Sequence, residues 1–329
     1  FDYFYGLKGF FGVDSYIDEF TEKGLYDVTT LEDYDRFMLQ YIYGLDDLHT
    51  SIVDYGFNGE LVTEQFSPDP DSKLRAFYDV YLSDACYLRE DEFVFTEYDE
   101  YYILEINEFT LDTSTYLKDN LAVLDPNKPI FIDLACNAGG NLIAVLELLT
   151  YLTADPVTLR YQITSTDEIF SETYQLDESR ALENDFYVFT SNMTYSAANL
   201  FTSMAKDQEL ATIIGTATSG GACSVLYSVM PNNMVITHSS DMAMLNQNNE
   251  IIEDGITPND VLTYSLSLTD TLAFVYDYFH TAGEYIIYNN STSSLVDIDL
   301  QCSQFPNDIE FQKFVLEVTD KETGEMYQM

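Results

Sequence analysis

The sequence predicts an α/β fold. From Tyr101 onward, short apolar runs alternate with segments of helical periodicity, which is typical of a buried sheet covered by helices. The chain has 329 residues, of which 46% are hydrophobic, enough for a packed core and about two domains. No apolar run reaches the ~18 residues that a membrane span requires. The longest, 141–154, is interrupted by Glu147 and is predicted to be a core helix.

Residues 1–52 are predicted to form a small helical domain. Four large residues recur with the spacing of one helix face, after a Thr-Thr-Leu-Glu sequence that resembles a helix cap. These residues are Tyr34, Phe37, Met38 and Tyr41. The domain ends in a short polar segment that contains His49.

Residues 53–98 are predicted to connect this domain to the rest of the chain. They are less regular, with a turn-rich stretch at 67–71 and an acidic run at 90–92. The region is too short for a peptide-binding PDZ module.

Residues 99–282 carry the alternation that predicts the α/β core. Strands are predicted at 102–106, 130–134, 187–190 and 212–214, and helices at 114–123, 142–152, 197–205 and 266–279. Residues 283–329 are predicted to be a β-rich extension, with a hairpin within 314–327.

The charge of the chain excludes some classes of partner. It carries 57 acidic and 13 basic side chains, a formal net charge of −44, and the acids are spread along the whole length. Such a surface repels nucleic acid and anionic lipid, so neither is an expected partner. A solvated acidic surface is typical of a secreted or salt-exposed protein.

The four cysteines lie far apart and form no CxxC pair, so they predict neither a zinc site nor a redox motif. They are Cys86, Cys136, Cys223 and Cys302. Free thiols and up to two disulfides are both compatible with this spacing. The chain starts at Phe1 without a signal peptide, and we expect an extracellular or cell-envelope protein whose targeting segment has been removed.

Two strand-to-helix junctions carry candidate chemistry. In one, an apolar strand runs into a polar turn and Ser196 follows at the start of a helix, where free N–H groups and positive potential favour a developing oxyanion. Serine is also an ordinary helix cap. In the other, the strand at 130–134 leads to Gly139 and Gly140, whose backbone can approach a ligand closely or form a tight turn.

Five short motifs stand in a specific order along the chain. They are Asp-Leu-His-Thr at 47–50, Asp-Leu-x-x-Asn-x-Gly-Gly at 133–140, Thr-x-Ser-Ala at 194–197, Ile-Gly-x-x-Thr-x-Gly-Gly at 214–221 and Gly-Ile-x-Pro-x-Asp at 255–260. This series resembles the tail-specific, or C-terminal processing, serine peptidases of family S41. The resemblance covers roughly residues 40–265.

The resemblance implies a core related to the crotonase and ClpP folds and a peptidase that cleaves polypeptides. Ser196 would attack the peptide carbonyl, and backbone N–H groups of Gly139, Gly140 and Ala197 would form the oxyanion hole. No metal or cofactor is implied. The oligomeric state is left open.

The resemblance also implies which residue is the general base. One branch of the family uses a lysine, but the matching position here is Gly221. The tricorn-like branch uses a histidine and a glutamate, and the matching residues are His49 and Glu253, with Glu250 and Asp254 as alternative acids. Histidine suits the role because its ordinary pKa of ~6.5 lets it take and return a proton near neutral pH.

Two positions depart from the family pattern. Leu48 stands where tricorn-like enzymes tend to carry a second serine, and Ala135 replaces a usual arginine. Two alternatives to a peptidase stay open, the first because related carriers resemble the same core and the 27 Tyr and 22 Phe could line an apolar cleft, the second because of these two departures. One is a carrier of apolar ligands, as in the related interphotoreceptor retinoid-binding proteins, and the other is an inactive scaffold for a protein partner.

Overall fold

The computed structural model describes residues 5–54, 68–87, 89–230 and 232–261, together with four short strands at 284–287, 298–301, 317–319 and 326–328. The chain divides into two compact units, Phe1–Thr263 and Tyr264–Met329. The four-part division predicted from the sequence stays a prediction.

The described helices of the first unit are α1 (Tyr16–Glu22), α2 (Leu31–Tyr43), α3 (Lys73–Tyr81), α4 (Asp84–Tyr87), α5 (Thr113–Asn120), α6 (Leu142–Leu152) and α7 (Ala197–Asp207). Its described strands are β1 (Ser51–Asp54), β2 (Phe93–Glu97), β3 (Tyr102–Ile106), β4 (Ile130–Asp133), β5 (Val157–Ile163), β6 (Glu168–Tyr174), β7 (Phe186–Thr190), β8 (Thr212–Gly215), β9 (Cys223–Val229), β10 (Val235–Leu245) and β11 (Asp260–Val261).

A six-stranded sheet forms the centre of this unit, in the order β11-β8-β7-β4-β3-β2. All its neighbours are parallel except β2, which is antiparallel at one edge. Asp133 at the end of β4 lies beside Phe189 of β7. The segments that follow these two strands therefore leave the same edge of the sheet, and this brings Gly139 and Ser196 together.

A second, antiparallel sheet has the order β1-β10-β5-β6, with β9 also paired to β10. Strand β1 begins two residues after His49, and Ser51 pairs with Thr237 of β10. This pairing connects the N-terminal segment to the C-terminal part of the unit.

The core contains side chains from both the central sheet and the N-terminal helices. Leu104, Ile132 and Val188 are fully buried on the sheet, and Tyr16 and Tyr41 belong to the same cluster. Burying each large apolar side chain stabilises the fold by about 1.5–3 kcal/mol. The N-terminal helices are therefore part of the main core.

Helix α2 begins where its sequence predicts. The Thr30 side chain accepts the Asp33 N–H at 3.1 Å, which confirms the predicted cap. Met38 and Ile42 face inward and pack against Met234 and its neighbours. The α2 helix is thus fixed against β10 just before the His49 segment.

The α/β fold predicted from the sequence is confirmed. The predicted strands and helices between 102 and 214 are found, with ends shifted by three residues at most. The predicted helix at 266–279 lies outside the described residues. Residues 53–98 are more regular than predicted, because they contain α3, α4 and β2.

The second unit contains two short described antiparallel pairs. One joins β12 (Glu284–Ile287) to β13 (Ile298–Gln301), and the other joins β14 (Glu317–Thr319) to β15 (Met326–Gln328). The second pair lies at the predicted hairpin.

Two of the four cysteines form a disulfide, Cys86–Cys136, and this settles a question the spacing left open. Cys223 is a buried free thiol. Cys302 lies outside the described residues. In the described part of the chain, no helix has the length and apolar character to cross a membrane.

Candidate active site

Ser196 stands at the junction between β7 and α7. Its backbone has φ 53° and ψ −119°, a combination that L-residues adopt only under strain. Two backbone hydrogen bonds hold Ser196 in this strained conformation. The Ser196 N–H donates to Gly220 O at 2.8 Å, and the Tyr195 N–H donates to Asn137 O at 3.1 Å. Serine is thus held in a sharp turn before the helix, as nucleophiles at strand-to-helix turns are.

His49 lies beside Ser196, although 147 positions separate them in the sequence. The distance from His49 Nε2 to Ser196 Oγ is 2.9 Å, a hydrogen bond. The imidazole packs against the Tyr195 ring, with 4.7 Å between ring centroids. The N-terminal segment therefore folds back over the core, as the predicted roles of these two residues require.

The environment of His49 favours its neutral form. Burial lowers the pKa of the imidazole below its ordinary value of 6.5, and the nearby charge of Asp47 opposes this shift. Asp47 is itself held in place, since its carboxylate accepts the His49 backbone N–H at 3.0 Å and the Thr50 hydroxyl at 2.5 Å. Asp47 is a buried acid close to His49 that the sequence motifs contained without assigning it a role.

The second nitrogen of the imidazole, His49 Nδ1, is buried and has no hydrogen-bond partner within the described part of the chain. Glu253, the acid predicted for this role, has other partners. Its Oε2 accepts the Ala222 N–H at 2.8 Å, and Lys73 Nζ lies 3.5 Å from its Oε1. The role predicted for Glu253 stays a prediction.

Glu253 is nonetheless in an unusual environment. Its side chain is 1% exposed. Burial raises its pKa to about 7, the charge of Lys73 lowers it, and the charge of Asp47 raises it further. The two alternative acids are more exposed, because Glu250 binds Asn246 at the surface and the Asp254 side chain is 82% accessible.

The turn after β4 approaches Ser196 closely. Gly139 and Gly140 have φ of 113° and 126°, values that favour glycine. A Cβ atom on Gly139 would lie 2.7 Å from Ser196 Cβ, and one on Gly140 would lie 2.2 Å from Phe109 O. Both positions therefore require glycine, and the turn passes directly against the serine.

The three predicted oxyanion donors differ in their hydrogen bonding. The Gly139 N–H already donates to Asn137 Oδ1 at 2.7 Å. Among the hydrogen bonds of the described residues, none uses the N–H of Gly140 or of Ala197. These two donors remain available, one in the turn after β4 and the other at the N-terminal end of α7.

The position that holds lysine in the other branch cannot accommodate it here. A Cβ atom on Gly221 would lie 2.5 Å from the Tyr195 ring, and its φ is 85°. The Lys206 ammonium donates to Thr257 O at 2.6 Å. Within the described ranges, no group of three His, Cys, Asp or Glu side chains could hold a metal ion.

A cavity of about 350 Å³ opens onto Ser196 and His49. Its walls come from the end of α2, the His49 segment, α3, the glycine turn and β9. Leu48, one of the two departures from the family pattern, faces this cavity. Ala135, the other, is buried, and its N–H donates to Asp133 Oδ1 at 2.9 Å. Helix α3 was missed by the sequence analysis, although Leu74, Phe77 and Tyr78 have helical spacing.

Comparison with known proteins supports the resemblance found in the sequence. Residues 101–262 match the model of peptidase family S41. The fold is similar to that of a protein from Parabacteroides merdae described as a peptidase, with a TM-score of 0.62 and 15% identity over 80% of this chain and 86% of that one. It is also similar to mature CPAF, with a TM-score of 0.58 and 10% identity over 79% of this chain and 90% of that one.

At these identities the solved structures show a shared fold, and the family match supports a serine-type peptidase. The resemblance to family S41 is thereby confirmed. Assignment to one branch of the family, and kinship with the crotonase fold, stay predictions.

Proposed function

We propose that this chain, whose residues 101–262 match peptidase family S41, is a serine peptidase that cleaves polypeptides through an acyl-enzyme on Ser196. One observation carries the proposal: His49 Nε2 lies 2.9 Å from Ser196 Oγ across 147 positions of sequence. Nucleophile and base within hydrogen-bond reach are the minimal arrangement for this chemistry.

In the proposed reaction, Ser196 Oγ attacks the carbonyl carbon of the substrate while its proton passes to His49 Nε2. The tetrahedral intermediate collapses, the C–N bond breaks, and His49 gives the proton to the leaving amine. Water then hydrolyses the acyl-enzyme by the reverse sequence of proton transfers. The lowered pKa of His49 supports this role, because only the neutral imidazole accepts a proton.

We assign the oxyanion hole to the N–H groups of Gly140 and Ala197. Gly139 is assigned a steric role instead, because its N–H is bonded to Asn137 and its lack of a side chain lets the turn approach Ser196. Loss of one such donor typically lowers turnover by about two to three orders of magnitude.

Within the tail-specific family, His49 and Gly221 favour the tricorn-like branch. The disulfide Cys86–Cys136 supports an extracellular or cell-envelope location, because disulfides persist mainly in oxidising compartments.

The test is labelling by a fluorophosphonate probe, which reacts with activated serines. We expect the wild-type protein to be labelled and Ser196→Ala to be unlabelled. In His49→Ala the labelling rate should fall by about two orders of magnitude or more. Ser165→Ala, an exposed serine elsewhere, serves as the control. A protein that carries apolar ligands, with no activated serine, would resist the probe in every form, and that outcome would refute the proposal.

A further inference from the structure

We propose that helix α3 forms a subsite for a large apolar or aromatic side chain of the substrate, next to the bond that is cleaved. This inference rests on the proposed function and names a substrate class for it. Its basis is the cavity that contains Ser196 and His49 in its wall. A substrate whose carbonyl reaches Ser196 must place a neighbouring side chain in this space.

The wall formed by α3 is apolar. Leu74, Phe77 and Tyr78 lie on one face of the helix, at the spacing i, i+3, i+4, and all three line the cavity. Tyr43 and Val225 extend the apolar lining from α2 and β9. The Phe77 ring lies edge-to-face with Tyr195, the residue before the nucleophile, at 6.3 Å between centroids.

The composition of the cavity lining disfavours charged side chains of a substrate. The chain has 57 acidic side chains, yet among the residues that the structure describes, none that lines this cavity is Asp, Glu, Lys or Arg. His49, whose pKa is lowered by burial, is the one titratable base in the described lining. A charged side chain placed in such a site would lose its hydration without gaining a partner.

The wall is also fixed relative to the catalytic residues. The Asp46 carboxylate accepts the N–H groups of Lys73 and Leu74 at 2.9 and 3.0 Å, at the first turn of α3. Lys73 Nζ donates to Glu253 O at 2.9 Å. These contacts connect α3 to the segment that carries His49 and to the Glu253 turn, so the subsite is pre-formed.

The size of the cavity favours large side chains over small ones. A volume of about 350 Å³ exceeds what a methyl group fills, so a small residue would leave much of the apolar surface uncovered. A Phe, Tyr or Leu side chain buries more apolar area and so binds better.

The experiment measures kcat/KM for the full chain on peptides that share one sequence and differ only in the residues that flank the cleaved bond. At one flanking position, we expect Phe and Leu to exceed Asp and Lys by about two orders of magnitude. Phe77→Ala should lower kcat/KM about tenfold for the peptide with Phe at this position and less for the peptide with Ala there. The ratio of the two kcat/KM values, Phe to Ala, should therefore fall. Phe77→Leu should restore part of that ratio.

The matched control is Leu82→Ala, an apolar truncation at the end of the same helix, where the side chain is 63% exposed and lies outside the cavity lining. Its Phe-to-Ala ratio should equal that of the wild type. If Phe77→Ala lowered kcat/KM by the same factor for all peptides, Phe77 would have only a structural role, and the proposed subsite would be overturned.

The two proposals fail in different ways. Wild-type protein that reacts with the fluorophosphonate probe and cleaves Phe and Asp peptides equally would overturn the subsite alone. Wild-type protein that neither reacts with the probe nor cleaves any peptide would overturn the proposed function, and the subsite with it.

Discussion

At the scale of single residues, the site depends on one buried carboxylate close to an imidazole. Asp47 accepts the backbone N–H of His49, and its charge opposes the effect of burial on the His49 pKa. Its position two residues before His49 lets one short turn orient both groups. We therefore propose Asp47 as a positioning residue for His49, whereas Glu253 bonds to Ala222 and Lys73.

The pH dependence of the reaction should reveal this arrangement. Because burial lowers the His49 pKa, the rate of probe labelling should rise with pH through a midpoint below about 6.5. Asp47→Asn removes the negative charge that stabilises the imidazolium, so the pKa falls and the midpoint moves to lower pH.

The measurement is the labelling rate of Ser196 from about pH 4 to 9, a range that extends below and above the ordinary pKa of an imidazole. Glu250→Gln removes an exposed carboxylate and should leave the midpoint unchanged. A midpoint that moves upward in Asp47→Asn would contradict the role given to Asp47.

At the scale of secondary-structure elements, the disulfide joins a helix to the segment that leads into the glycine turn. Cys86 belongs to the short helix α4, and Cys136 lies in the segment that leads from β4 to the glycine turn. The bond therefore restrains the segment that contains Gly139 and Gly140. It closes a loop with a sequence separation of 50 residues.

Removing this bond should lower stability. The chain-entropy model gives about 4 kcal/mol for a loop of this length. We expect the urea midpoint of the wild-type protein to fall when a reductant is added, and the double variant Cys86→Ser, Cys136→Ser to show the lower midpoint with or without reductant. If the urea midpoint of the wild-type protein did not change when reductant is added, this would argue against the disulfide.

At the scale of the whole molecule, the dominant physical property is the net charge of −44. Like charges spread over the surface repel one another and destabilise the compact state. Salt weakens this repulsion, because raising ionic strength from about 0.01 to about 1 M shortens the screening length from about 30 to about 3 Å.

Thermal unfolding should therefore shift by several degrees to higher temperature as NaCl is raised over this range. KCl at equal concentration should act alike, because the effect depends on ionic strength and not on a bound ion. The midpoint of unfolding, followed by circular dichroism, measures the shift. A midpoint that falls with salt would mean that exposed ion pairs such as Arg75–Asp79 outweigh the repulsion.

The sequence predicted those features that depend on local patterns. Strand-to-helix alternation predicted the central elements, since the periodicity of apolar residues follows directly from the geometry of each element. The ordered motifs marked Ser196, His49 and the glycine turn. For Gly139 and Gly140 the physical reason is local as well, because a positive φ and a close approach require glycine.

Only the tertiary structure decided how distant segments meet. The sequence left the cysteine pairing open and predicted a connecting region where α3 lines the cavity beside Ser196 and His49. The resemblance to family S41 implied that His49 meets Ser196, and the structure supplies the distance between them, whereas the contacts of Glu253 with Lys73 and Ala222 followed from no pattern in the sequence. The meeting of the His49 segment with the Ser196 turn depends on the register of β1 on β10 and on the parallel order of β4 and β7, and no local pattern encodes either.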